Sequence, residues 1–137
     1  MIVREMQAES MFPGKGLYMS GKLDKYLYAI RTLRGKFLCV RSVDVAHFLK
    51  LSKPSVSTSV RQMMENGLVT VEPDGNLLLT ALGQDKADRL NERVRFFEDL
   101  LVKAGVESST ALQDALAFGP KMSTESFEAF RTILRDY

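Results

Sequence analysis

The sequence predicts a mainly α-helical protein that carries one small β-hairpin. Apolar residues recur every three or four positions along most of its length, which is the period of an amphipathic helix. The exception is a pair of short apolar runs joined by Pro73-Asp74-Gly75, where glycine accepts the positive φ that a tight hairpin turn requires. The 137 residues, 45% of them hydrophobic, suffice for one compact unit, or for one small domain with a helical appendix.

The first predicted helix begins near Lys22 and ends at Gly35, a residue type that favours helix termination. One stripe of this helix is apolar and faces the core: Leu23, Tyr26, Leu27, Ile30 and Leu33. The apolar run at residues 37–40 that follows predicts a short strand.

Two further helices are predicted before the hairpin. Ser42 is the predicted cap of the first, whose inward-facing residues are Val45, Ala46 and Leu49. Ser52 is the predicted cap of the second, and Pro54 is tolerated in its first turn because the N–H that proline lacks has no partner there. Gly67 is the predicted stop of this helix. Its inward-facing residues are Val56, Val60, Met63 and Met64.

A long helix follows the hairpin strands, which are predicted at residues 68–72 and 76–79. Thr80 is its predicted N-cap, and Gly105 ends it after about 24 residues. Its core-facing residues are Leu82, Ala87, Leu90, Val94, Phe97 and Leu101. Two shorter helices are predicted after it, one at residues 110–118 and one capped by Ser123.

The order helix, strand, helix, short turn, helix and hairpin over residues 22–80 is that of a winged helix-turn-helix. In this arrangement the second helix braces the third, whose outer face is then able to enter the major groove of DNA. The shared core of the two helices is predicted to consist of Ala46, Leu51, Val56 and Val60.

Charge is divided unevenly along the chain. Residues 15–61 hold ten Lys and Arg against two acids, a net charge of +8, whereas residues 62–137 carry a net charge of −5. A basic segment of this kind is suited to a polyanion such as double-stranded DNA. The acidic half is better suited to solvent or to a partner subunit.

The third helix carries most of the predicted DNA contacts. Ser and Thr hydroxyls bond phosphates or base edges, while Lys and Arg neutralise phosphate or reach guanine. The candidate interface also includes three residues of the basic segment that precede this helix. The complete predicted set is Lys36, Arg41, Ser42, Lys53, Pro54, Ser55, Ser57, Thr58 and Arg61.

The sequence also resembles a known family of bacterial metalloregulators, the iron-dependent repressors and manganese transport regulators, which include diphtheria toxin repressor-like proteins. The resemblance covers residues 23–128. It rests on KYLYAIRTL, VRSVDVAHFLKLSKPSVSTSVRQMMENGLV, TVEPDGNLLLTALG, RLNERVRFFEDLLVKAGV and MSTESFEAF. The family implies a homodimer, with the second half of the chain as the dimerisation domain and a palindromic operator as the target.

Three parts of the chain are therefore expected. Residues 1–21 are predicted to form a flexible N-terminal arm, residues 22–83 the winged helix-turn-helix DNA-binding domain, and residues 84–137 the helical dimerisation domain.

The resemblance implies control by Mn²⁺ or Fe²⁺, but the positions at which the family places metal ligands are altered here. They hold Lys25, Tyr28, Val94, Leu116, Gly119 and Pro120. None of these side chains ligates a divalent ion at neutral pH, and hard divalent ions need several carboxylate or imidazole donors. We therefore expect no bound metal cofactor and a regulator that has lost metal control.

Several other classes of function are disfavoured. The single histidine, His47, has no nucleophile and base around it, so we expect no enzyme, and the single cysteine, Cys39, excludes an internal disulfide. Acids and bases alternate along residues 85–93, which indicates a salt-bridged solvent face rather than paired catalytic carboxylates. No apolar run reaches the roughly 18 residues of a membrane helix, and the N-terminus lacks a signal sequence, so we expect a cytoplasmic protein without a membrane partner.

Two alternatives stay open from the sequence. One is a winged-helix regulator of the multiple-antibiotic-resistance type that responds to a small molecule, although the short acidic wing argues against it. The other is a winged-helix module that contacts protein instead of DNA.

Overall fold

The computed structural model describes residues 21–135, and it is mainly helical with one two-stranded wing, as predicted. The predicted arm falls almost wholly on residues 1–20, which lie outside the described residues. The elements are α1 (Asp24–Arg34), α2 (Ser42–Leu49), α3 (Lys53–Glu65), β1 (Val69–Val71), β2 (Leu77–Leu79), α4 (Ala81–Lys103), α5 (Ser108–Phe118), a 3₁₀ turn (Gly119–Lys121) and α6 (Thr124–Leu134).

The chain divides into two compact units within α4. The winged-helix unit runs from Lys22 to Asn91, and the described part of the other unit, called here the C-terminal unit, comprises Gly21 and residues 92–135. The functional boundary predicted between residues 83 and 84 stays a prediction.

The core of the winged-helix unit brings together apolar residues from each of its first elements. Ile30 of α1, Val45 of α2 and Met63 of α3 are fully buried, and Leu77 of the wing is fully buried against them. Burying one such side chain contributes about 1.5–3 kcal/mol, so this core holds the three helices and the wing together. Met64 and Leu82, which were predicted to face inward, are about half exposed, so those two predictions are wrong.

Three of the predicted helix caps are confirmed. The Ser52 hydroxyl accepts a hydrogen bond from the Ser55 N–H, and the Ser123 hydroxyl accepts one from the Ser126 N–H. Thr80 accepts from the Gly83 N–H at 3.0 Å and donates to the Gly67 carbonyl at 2.6 Å. Thr80 therefore joins the start of α4 to the end of α3.

Two predictions about residues 37–42 are wrong. Residues 37–40 form no strand, because the Val40 N–H donates to the side chain of Asn76 and only the Val40 carbonyl pairs with the wing backbone, at Leu77. Ser42 does not cap α2 either. The cap residue is Arg41, whose N–H donates to the Asp44 carboxylate at 2.8 Å.

The wing is a short antiparallel hairpin in which Val69 pairs with Leu79 and Val71 with Leu77. Gly75 has a φ of 92°, as the predicted turn requires, and its N–H donates to the Glu72 carbonyl at 2.8 Å. The hairpin begins directly after α3, where the Leu68 N–H donates to the Met63 carbonyl.

An ion pair joins α1 to the first half of α4. The Arg31 guanidinium donates to the Asp88 carboxylate at 2.7 Å, and Gln84 donates to the same oxygen. These hydrogen bonds lower the pKa of Asp88 below its usual value. The pair therefore stabilises the fold above the unfolded pKa of aspartate and is lost as the pH falls through the lowered pKa. Because both side chains are partly exposed, its contribution stays below about 1 kcal/mol.

The C-terminal unit is built around aromatic rings. Phe97 packs edge-on against Phe96, Phe118 and Phe130, with centroid distances between 4.8 and 5.8 Å. Phe127, which is almost fully buried, contacts both Phe96 and Phe97. Offset and edge-on pairs of this kind each contribute about 0.5–1.5 kcal/mol beyond the area that they bury.

Residues 85–93 form a salt-bridged face only in part. Asp85 pairs with Arg89 as expected, and Glu92 pairs with Arg131 of α6. Arg93 is instead 95% buried, which corrects the prediction that it faces solvent. None of the helices in the described residues is both long enough and apolar enough to span a bilayer.

Gly83 is the position in the winged-helix unit with least room for a side chain. A Cβ at this residue would lie 1.9 Å from the Leu68 carbonyl oxygen, a backbone atom that cannot move aside alone. We expect Gly83→Ala to lower the free energy of unfolding by about 1–3 kcal/mol in urea titrations. The matched control is Gly35→Ala, where the nearest atom is 3.4 Å away and φ is −70°; it should leave stability unchanged or raise it slightly. Equal stability of the two variants would contradict the close packing of α4 on the wing.

Candidate nucleic-acid interface

The exposed face of α3 carries most of the predicted interface. Val56, Val60 and Met63 are buried on the opposite side of the helix, so its period turns the polar residues toward solvent. The predicted residues on this helix are all exposed: Lys53, Pro54, Ser55, Ser57, Thr58 and Arg61. Six of the nine predicted residues therefore lie together on one helix.

The turn between α2 and α3 fixes how α3 is presented. Lys50 ends α2 in the left-handed conformation, with φ 58° and ψ 47°, and the Leu51 N–H donates to the Ala46 carbonyl. A non-glycine residue in this conformation costs about 1–2 kcal/mol, and the buried residues Val45 and Val56 on either side supply the packing that holds it. The result is the sharp turn of a helix-turn-helix.

The N-terminal end of α3 carries positive charge. Lys53 is its first residue, no acid lies in the first turn, and the helix dipole places partial positive charge there. Within the first turn, the Ser52 hydroxyl donates to the Ser55 hydroxyl, so Ser55 is already part of the cap. The side chains of Ser57, Thr58 and Arg61 make no hydrogen bond or ion pair with other described residues.

The three predicted residues outside α3 have different surroundings. Lys36 is exposed on the connection between α1 and α2, and Ser42 is half-buried as the first residue of α2. Arg41 is exposed, but its Nε donates to the Asp74 carbonyl at 2.8 Å, and its guanidinium lies 4.0 Å from the Asp74 carboxylate. Arg41 is therefore engaged with the wing.

The wing is held by Asn76, a buried residue that sequence reasoning did not single out. Its Oδ1 accepts hydrogen bonds from the Val40 N–H at 2.9 Å and from Arg34 at 3.2 Å, and its Nδ2 donates to Glu72 at 2.9 Å. Arg34 also donates to the Leu77 carbonyl. Its partners lie up to 42 residues away in the sequence, so sequence patterns do not reveal them. The only local signal for a structural role is the place of this asparagine directly after the Asp-Gly turn.

The single cysteine and histidine lie beside one cavity of the winged-helix unit, which has a volume of about 390 Å³. Its lining residues are Leu33, Phe37, Cys39, Asp44, His47 and Phe48. Within the described part of the chain, no three His, Cys, Asp or Glu side chains are grouped so that they could hold a metal ion.

Comparison with known proteins agrees with this geometry. The family model described as "Iron dependent repressor, N-terminal DNA binding domain" matches residues 19–77, which include α1, α2, α3 and the first wing strand. The transcriptional regulator MntR of Escherichia coli O6:H1 is 31% identical over 109 residues, which cover 80% of this chain and 70% of MntR. The chain belongs to the iron-dependent repressor family.

Solved structures of similar fold include the manganese regulator SloR and the IdeR protein of T. acidophilum. SloR matches with a TM-score of 0.73 and 23% identity, over 85% of this chain and 54% of SloR. IdeR matches with a TM-score of 0.72 and 20% identity, over 85% of this chain and 55% of IdeR. The chain therefore spans about half the length of these two proteins.

The family's metal-ligand positions in the winged-helix unit do not fit a divalent ion. Lys25 is exposed, and its ammonium lies 5.7 Å from the centre of the Tyr26 ring. Tyr28 is buried, with its ring 6.5 Å from that of Phe48. An ammonium repels a metal cation, and a buried phenol that packs on another ring is no substitute for a carboxylate.

The corresponding positions in the C-terminal unit do not fit one either. Val94 is fully buried, Leu116 is half-buried, and Gly119 and Pro120 are buried without any ligating side chain.

The side chain of Arg93 lies beside Gly119, one of these positions in the C-terminal unit. The Arg93 guanidinium donates to the carbonyls of Gly119 and Met122 and to the Thr124 hydroxyl. It also lies 5.1 Å from the centre of the Phe127 ring. The Gly119 carbonyl therefore already accepts a hydrogen bond from a permanently charged group.

Proposed function

We propose that this protein is a sequence-specific DNA-binding transcriptional regulator that acts as a homodimer and does not need a divalent metal. The observation that carries the proposal is the exposed polar face of α3, presented by a winged helix-turn-helix. A helix braced in this way enters the major groove, where its outward side chains reach base edges. The proposed partner is double-stranded DNA, and the proposed location is therefore the cytoplasm.

The chemistry of the α3 face supports contacts of two kinds. Lys53 and Arg61 supply cations that neutralise phosphate, and Arg61 has the planar fork that pairs with guanine. Ser57 and Thr58 supply short hydroxyl groups that bond either phosphates or bases. Membership of the family, and the name of the E. coli relative as a transcriptional regulator, support the same function. No catalytic role is proposed for any residue.

Exposed apolar side chains on the C-terminal unit support a second copy of the chain as the protein partner. Ile133 is 75% exposed, and Phe118, Phe130 and Val102 are each about 40% exposed. A stable interface buries roughly 1,200–2,000 Å² and is apolar at its centre, which such residues provide. Two subunits would present two copies of α3 to a palindromic site.

The proposed metal independence rests on the side chains at the family's ligand positions. Lys25 and Tyr28 in one unit, and Val94 in the other, leave no carboxylate or imidazole at these positions. A regulator of this kind binds its operator in the absence of a metal ion.

Removal of the two α3 cations should weaken DNA binding. We expect Lys53→Ala and Arg61→Ala each to reduce affinity for a short labelled duplex roughly five- to ten-fold near about 0.1 M salt, because each loses about one phosphate contact. The slope of log K against log salt should become shallower by about 0.9 for each variant, as measured by fluorescence anisotropy. The controls Arg95→Ala and Lys121→Ala remove exposed cations of the C-terminal unit and should bind like the parent. An equal loss in the control variants would contradict the assignment of α3.

A charge placed on the apolar surface of the C-terminal unit should separate the subunits. We expect the parent to sediment at about twice the 15.4 kDa of one chain and Ile133→Asp to sediment at the mass of a single chain. Because Ile133 is mostly exposed, the substitution should leave the fold intact by circular dichroism. Leu38→Asp, at a 96% exposed residue of the winged-helix unit, is the control and should remain dimeric. A parent of single-chain mass would rule out the homodimer.

Thermal melting tests the proposed metal independence without DNA. A ligand present at about 100 times its Kd stabilises the native state by about 2.7 kcal/mol, which raises the Tm by several degrees. We expect the same Tm, within about one degree, in EDTA, in Mn²⁺ and in Fe²⁺ under anaerobic conditions, with Mg²⁺ as the control ion. A rise of several degrees in Mn²⁺ or Fe²⁺, and not in Mg²⁺, would show that a specific metal site exists.

A further inference from the structure

We propose that the tip of the wing limits DNA affinity, in that the Glu72 and Asp74 carboxylates repel DNA phosphates and so weaken phosphate-driven binding. This inference rests on the proposed function, because it concerns the affinity of the same interface. It assigns a role to the wing that differs from that of α3: α3 attracts the duplex, and the wing tip opposes any close approach that operator contacts do not compensate.

The tip holds its two carboxylates in a fixed place. The Glu72 N–H donates to the Asn76 carbonyl, and the Gly75 N–H donates to the Glu72 carbonyl, so the turn is closed from both sides. Asp74 accepts from the Asn76 N–H at 3.0 Å, and Glu72 accepts from the Asn76 amide at 2.9 Å. Asn76 is itself buried and bonded to Val40. These bonds leave the carboxylates little freedom to move away from an approaching phosphate.

Arg41 links the wing tip to the N-terminal end of α2. It precedes α2, the first helix of the pair, and in this docking geometry the first helix crosses the backbone of the duplex. Because Arg41 donates to the Asp74 carbonyl, Asp74 lies at the N-terminal end of α2. A hairpin whose strands have three residues extends only about 10 Å, which is close to the Debye length at physiological salt. The tip charges therefore act on phosphates that α2 and α3 approach.

The negative charge of the tip is only partly compensated. The Arg41 guanidinium lies 4.0 Å from the Asp74 carboxylate, and the Asp74 side chain stays 59% exposed. The Glu72 carboxylate accepts from the neutral amide of Asn76 and pairs with no cation in the described part of the chain. The tip therefore carries two carboxylates, of which only that of Asp74 lies near a cation, and Arg41 is engaged with Asp74.

Repulsion of this kind lowers the affinity for any duplex. Binding without sequence readout comes almost entirely from phosphate neutralisation, so a repulsive charge acts on it directly. Base contacts from α3 do not depend on the wing charges. The acidic tip thus keeps phosphate-driven binding weak, so that stable binding requires the base contacts of α3.

Isosteric amides test the proposal, because each retains one oxygen that is able to accept the hydrogen bond of the turn and removes the negative charge. We expect Asp74→Asn and Glu72→Gln each to bind a labelled random-sequence duplex about two- to five-fold more tightly than the parent at about 0.05 M salt. The gain should disappear near about 0.5 M salt, where screening is strong. Glu72→Gln is informative by itself because it leaves the Arg41–Asp74 contact in place. All anisotropy titrations use the full chain, with melting curves to show that each variant is folded.

Asp85→Asn is the matched control. Asp85 also pairs with an arginine, Arg89, and its side chain is 62% exposed, close to the 59% of Asp74, but it lies on α4. Asp85→Asn should change duplex affinity less than either wing variant.

Equal gains in duplex affinity for all three variants would show a general effect of net charge and overturn the proposal. Weaker binding by Glu72→Gln or Asp74→Asn would overturn it as well, because the carboxylate would then favour binding. If the parent binds no duplex, the proposed function itself fails, which is a separate outcome from binding that the wing variants leave unchanged.

Discussion

The buried amide of Asn76 is the interaction on which the geometry of the winged-helix unit depends. A buried polar side chain must be hydrogen-bonded, and this one is satisfied by Arg34 at the end of α1, by Val40 before α2 and by Glu72 of the wing. Its hydrogen bonds join three segments that are distant in sequence. Because α3 packs within the same unit through Val56 and Met63, the orientation of its polar face depends on these hydrogen bonds.

Features that depend on near neighbours were predictable from the sequence, and features that depend on distant partners were not. The caps at Ser52 and Thr80, and the positive φ of Gly75, are set within a few residues, and all three were predicted. Residues 37–40 were predicted as a strand because they are apolar, but the Asn76 side chain takes the hydrogen bond that a strand partner would make. Arg93 was assigned to solvent from its neighbours, whereas its acceptors lie 26 to 31 residues further along the chain.

In the candidate site, too, only the features set by near neighbours were predictable. The helical period was enough to predict that Lys53, Ser57 and Thr58 face outward, because the buried residues of α3 recur at a fixed spacing. The period could not reveal that Arg41 is engaged by Asp74, since that bond crosses 33 residues of sequence. The wing is therefore more than a spacer after α3: it binds one of the basic residues that the sequence offered for DNA contact, and it carries an acidic tip.

The chain combines the fold of its family with side chains that do not fit a divalent ion at the expected ligand positions, and we propose that its recognition of DNA does not depend on metal. Selection of duplexes from a random-sequence pool by the full chain tests this most directly, with one arm in EDTA and one in Mn²⁺. We expect both arms to enrich the same palindromic sequence to the same extent, because the α3 face is presented without a metal ion. Enrichment of a palindrome only in the Mn²⁺ arm would contradict the claim.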